Sequence, residues 1–175
     1  MSTVPVFVVA VIFTVLQLFV FLLALIGTPL PQVRAAGQCT TLFGVQSACY
    51  STAYEAHNSQ YGCAAEKQAM TIASAFAVIS VVLAFVTLIF AILMHVGVRC
   101  LVVIPFVLMC CGVITLCIPW AILLWTRSVD MCNVLGVRYT PNEGATLMTG
   151  FILIVVAWSL QVVNLLVFTV LGNMW

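Results

Sequence analysis

The residues best able to do chemistry are eight cysteines and two histidines. Cys39, Cys49, Cys63 and Cys132 stand among polar residues, whereas Cys100, Cys110, Cys111 and Cys117 stand in an apolar run. An even set of four cysteines in polar segments suits disulfide formation in an oxidising compartment. Cys39 and Cys49 bracket Thr-Thr-Leu-Phe-Gly-Val-Gln-Ser-Ala, the outline of a disulfide-closed turn. Closing such a loop removes unfolded-chain entropy worth about 2.8 kcal/mol in the chain-entropy account. Cys63 and Cys132 either pair, tying two segments together, or both stay free. A metal site at the apolar cysteines would need histidine or carboxylate partners, and none stands near them, so they read as small polarizable packing residues. Cys100, beside a short turn, is open to reversible acylation. Glu55 and His57 share a segment with cysteines, but no nucleophile, base and orienting group stand in a recognisable order. The expectation is a protein that is not an enzyme, with no metal and no cofactor.

The elements that must position these residues are read from composition. Hydrophobic residues make up 65% of the chain and charged residues 5%, against about a quarter charged in a soluble domain. Lipid is therefore the main solvent, and the net charge of +1 leaves no footprint for nucleic acid. A spanning helix needs roughly 20 apolar residues. Four stretches qualify: about 5–27, 68–95, 101–125 and 145–170, none containing Asp, Glu, Lys or Arg. The first reads as an uncleaved anchor, since residues 1–33 lack the basic start of a signal peptide. Only His95, Val96, Gly97, Val98 and Arg99 separate the second and third spans, which predicts an antiparallel hairpin opened by Gly97. The segments 28–67 and 127–144 then form two loops on one face of the membrane.

Positive-inside counting sets Arg99 on the side of the termini against Arg34, Lys67, Arg127 and Arg138 on the side of the loops, and by itself puts the loops in the cytoplasm. The cysteines argue the reverse, and the charge rule weakens over long loops. The expectation is loops outside and termini in the cytoplasm.

The segment Cys39–Cys49 resembles the signature of the amastins, surface proteins of trypanosomatid parasites. Cys39, Thr41, Leu42, Phe43, Gly44, Gln46 and Cys49 fit that signature, and Thr40 and Ala48 depart from it at its second and tenth places. The resemblance implies a multi-pass plasma-membrane protein with exposed loops and no established catalytic activity. The layout is also similar to that of claudins, which implies strands in the first loop. Tyr50, Thr52 and Tyr54 alternate as a half-exposed strand would, followed by a polar turn over 57–62. The expected fold class is an all-α membrane protein: a four-transmembrane-helix bundle with a small, disulfide-pinned, β-containing first extracellular loop. No asparagine is followed two places later by Ser or Thr, so an N-linked acceptor is absent.

Polar residues inside a span are costly and therefore informative. Gln17 lies in the first span, and Gln161 and Asn164 share a face of the fourth. Depth allows Gln17 and Gln161 to meet as an amide pair, which reads as helix-to-helix glue. Ala73 and Ala77 suit close helix contact, within the chain or between copies. The function expected is non-enzymatic: membrane organisation, adhesion or partner contact through the outer loops, with the bilayer, further copies of the chain or a surface protein as partners. The rival reading is a small channel or transporter with Gln17, Gln161 and Asn164 along a polar path.

Overall fold

The computed structural model describes residues 4–35, 38–51, 53–58, 63–95, 103–128 and 146–172. Four long helices dominate: α1 (Val4–Gly27), α2 (Ala64–His95), α3 (Val103–Ser128) and α4 (Thr149–Gly172). All four are long and apolar enough to cross a membrane. In hydrocarbon a backbone must satisfy its own polar groups, and a helix does so within one segment. Leu, Ile, Val and Phe supply outward faces for lipid; Phe19, Ile26, Val82, Ile92, Ile114 and Leu166 are each exposed on the bundle surface.

The core is stacked in three layers along the bundle. An outer layer joins Met70, Ala73, Ala77, Leu123, Phe151 and Ile154 with Leu42 from the loop. A middle layer holds Val20, Ala24, Ala84, Leu116 and Ala157, and an inner layer Phe13, Ala91, Met109 and Phe168. The buried stripe of α2 is mostly small: Ala69, Ala73, Ala77, Ser80, Ala84, Thr87 and Ala91. Small residues let helix backbones approach closely, so Ala73 and Ala77 act inside this chain. At 32 residues α2 is about 48 Å long, well beyond a hydrocarbon core of about 30 Å. Its first turns, carrying Lys67, project on the side of the loop.

That side holds a five-stranded antiparallel sheet: β1 (Val33–Ala35), β2 (Gln38–Thr40), β3 (Gly44–Gln46), β4 (Ala56–His57) and β5 (Thr146–Leu147). Their order is β4-β3-β2-β1-β5. The fifth strand comes from the segment just before α4 and pairs Val33 with Leu147 and Arg34 with Thr146. The two outer segments thus share one sheet. The disulfide Cys39–Cys49 closes the turn that carries β3. The fold class expected from sequence is the one observed, but the expected strand over Tyr50–Tyr54 is not. Residues 49–50 turn, residues 53 and 54 carry no strand, and the strand starts at Ala56. Position 57, expected as turn, lies in β4, and Asn58 is buried. Gly97 and Cys100 lie outside the described residues.

Sheet and bundle join where α1 ends. The Gln32 side chain is fully buried, and its Nε2 donates to Gly27 O at 2.8 Å, a carbonyl that the helix end would leave bare, and to Leu30 O of the following turn at 2.9 Å. Gly150 sits directly beneath: a Cβ there would lie 2.5 Å from Gln32 Nε2, 2.7 Å from Leu30 O and 2.8 Å from Pro31 O. Two of those neighbours are backbone atoms and cannot swing aside. Gly150→Ala should therefore lower stability by about 1–3 kcal/mol, the usual range for overpacking. Tryptophan-fluorescence thermal scans in detergent check this against Ser159→Ala on the exposed face; equal melting temperatures for the two variants would contradict it.

Candidate functional site at the outer mouth of the bundle

The turn between β2 and β3 is built around Thr41. Its buried hydroxyl donates to Gly44 O at 3.0 Å and accepts from Phe43 N at 3.1 Å and Gly44 N at 3.2 Å. This tight turn drives Leu42 into the bundle mouth, where it is fully buried against Met70, Ala73, Leu123 and Phe151. Phe43 packs half-buried beside it. Gly44 lies under β4 so closely that a Cβ would collide with the carbonyl oxygen of Ala56. Gln46 is buried, and its Nε2 donates to Ser51 O at 2.6 Å, which fixes the chain after the disulfide.

Asn58 closes the arrangement from the other side. Its Nδ2 donates to Leu42 O at 2.6 Å and to Met70 O at 3.4 Å, linking the turn to α2. Sequence reading missed this residue by placing it in a solvated turn; nothing in one polar side chain among others signals a buried bracket. The departures from the signature also have a physical reading. Thr40, half-buried in β2, is β-branched and suits a strand. Ala48 is exposed in a bend, where a small side chain meets no constraint.

Of the other expected residues, Cys63 is disulfide-bonded, and Cys132 lies outside the described residues. Among the described residues Cys110, Cys111 and Cys117 are free. Within the bundle Gln17 and Asn164 meet, but Gln17 does not pair with Gln161. Gln17 Nε2 donates to Ala84 O at 3.2 Å, which leaves its Oε1 to accept from Asn164 Nδ2 at 2.9 Å. The backbone carbonyl thus sets the direction of both amides. Gln161 instead faces α3, where Gly112 makes room for it: a Cβ at that glycine would lie 3.3 Å from Gln161 Nε2. Gln161 Oε1 and Asn164 Oδ1 are buried and accept no hydrogen bond among the described residues. His95 ends α2 against α1, its Nε2 at 2.9 Å from Thr14 Oγ1. The threonine hydroxyl already donates to Ala10 O, so the ring N–H is the donor. Trp158 packs edge-on against Trp120, with ring centroids 5.4 Å apart. Among the described residues no three His, Cys, Asp or Glu side chains gather to hold a metal ion.

A family model described as amastin surface glycoprotein matches residues 18–168. The chain belongs to the amastin family. No curated protein and no solved structure matches it. In this amastin the signature has a mechanical meaning. Cys39, Thr41, Leu42, Gly44 and Gln46 are all buried and together seat a sheet on a helix bundle; none presents a reactive group outward. A double-substitution cycle of Gln17→Leu and Asn164→Leu should give a coupling energy of about 0.6 kcal/mol, the average for such contacts in membranes. Asn164→Leu alone should cost more, about 1–3 kcal/mol, because it leaves Gln17 Oε1 buried without a donor. Coupling indistinguishable from zero in detergent unfolding would contradict the pairing.

Proposed function

We propose that this amastin is a non-enzymatic plasma-membrane protein with cytoplasmic termini, whose outer sheet contacts a partner surface. The observation that carries the reading is how the signature is used. Its Leu42 anchors the turn in the bundle mouth while its other buried residues hold the turn together, which leaves the exposed residues of the sheet to meet other molecules. Arg34, Gln38 and Glu55 are exposed on the sheet, with Gln38 Nε2 donating to Glu55 Oε2 at 3.1 Å. A rigid polar surface meets a partner with little ordering cost. The segments 28–67 and 127–144 form its two extracellular loops in this reading, and Cys63 with Cys132 is its second bridge. A transport path is less supported: Gln17 and Asn164 are tied to each other, and Phe13, Met109 and Phe168 close the bundle beneath them.

Orientation has a direct test because Lys67 is the chain's one lysine and is exposed on the projecting turn of α2. A membrane-impermeant amine reagent applied to intact cells should label Lys67 and spare the N-terminal amine. Labelling of Lys67 only after permeabilisation would reverse the topology. For the contact role, reversing charge at Arg34 and Glu55 together should leave surface abundance unchanged and reduce adhesion of expressing cells to their target surface. Unaltered adhesion at equal abundance would contradict it.

A further inference from the structure

Tyr50 is the only non-glycine among the described residues with a positive φ, 67°. Tyrosine has no local hydrogen bond to offset that conformation, so its surroundings must enforce it. The disulfide at Cys49 and the bond from Gln46 to Ser51 O hold the chain on either side. The result turns the ring outward, 57% exposed, with its hydroxyl hydrogen-bonded to that of Thr149 at 3.2 Å.

Thr149 heads the lipid-facing stripe of α4. Ile152, Val156 and Val163 continue it, all exposed, at the spacing of one helix face. Leu147, two residues earlier in β5, is also exposed. The depth of this patch follows from the outer core layer, which contains both Phe151 and Leu123. Thr149 on α4 and Trp125 on α3 each lie two residues further out, about 3 Å along the axis. Trp125 is 55% exposed and sits at the depth where amphipathic rings gather at the edge of a bilayer. The first turn of α4 has no such ring of its own. Its one aromatic, Phe151, is buried, and Gly150 must stay small beneath Gln32.

We propose that Tyr50 and Leu147 seat the outer sheet on the lipid headgroup layer, Tyr50 acting as the interfacial aromatic that α4 lacks. The occupant is a lipid surface because the patch is continuous with the lipid-facing stripe of α4 and level with Trp125. An apolar ring body with a hydroxyl tip suits that border, where one end is greasy and the other wet. Leu147 adds aliphatic surface beside it. The sheet is thereby fixed in height and tilt relative to the membrane, whatever partner it meets on its other side.

The test uses the whole protein in phosphatidylcholine vesicles containing a phosphatidylcholine with a photoactivatable diazirine at its headgroup end. After irradiation, reduction and digestion, adducts are mapped by mass. Adducts on Tyr50 and Leu147 alongside Trp125 are expected. Labelling of Trp125 without Tyr50 and Leu147 would overturn the proposal. Tyr50→Asn supplies the second arm, since asparagine tolerates positive φ while losing the ring. With Cys39–Cys49 still bridged, this variant should lose most of the Leu147 adduct and keep that at Trp125. Undiminished Leu147 labelling would show that the ring does not set the seating.

Discussion

The described outer sheet of this amastin is keyed to the bundle by one apolar insertion. Leu42 leaves the sheet at a turn tied by the Thr41 hydroxyl and ends, fully buried, among Met70, Ala73, Leu123 and Phe151. Burying such a side chain is worth about 1.5–3 kcal/mol, but its position matters more than its magnitude. It joins residues of α2, α3 and α4 to a loop that would otherwise cover the bundle loosely. Around it three side-chain amides donate to backbone carbonyls: Asn58 to Leu42, Gln46 to Ser51 and Gln32 to the end of α1. The disulfide Cys39–Cys49 adds a constraint on the unfolded chain.

The same logic explains which parts could be read from sequence. Four charge-free apolar runs are conspicuous because hydrocarbon tolerates nothing else, so the helix bundle was legible before any geometry. The Cys39–Cys49 pairing was legible from its short spacing. The strands were not: each is two or three residues long, too short for an alternating pattern, and their order depends on docking rather than propensity. Thr146 and Leu147 read as the start of a span, yet they add a strand to the sheet, and only the partner Val33–Arg34 decides that. Depth along a helix placed Gln17 level with the amides of α4, but rotation about the axis, unseen in sequence, gave it Asn164 rather than Gln161.

The division of labour between the two polar regions bears on function. Inside the membrane, Asn164 donates to Gln17 and Gln17 to the Ala84 carbonyl, which links three helices. Outside it, the signature residues face inward and the charged residues Arg34 and Glu55 face water. In the described residues the sheet is joined to the bundle through the Leu42 cluster and the Gln32–Gly150 contact.

The claim that the Leu42 insertion couples sheet and bundle is tested most directly by hydrogen–deuterium exchange of the protein in lipid vesicles, comparing it with Leu42→Ala. Faster exchange is expected in 33–58 together with the outer turns of α2 and α4, while the middle and inner layers keep their protection. Faster exchange confined to the Thr41–Gly44 turn, with the helix ends unchanged, would contradict it.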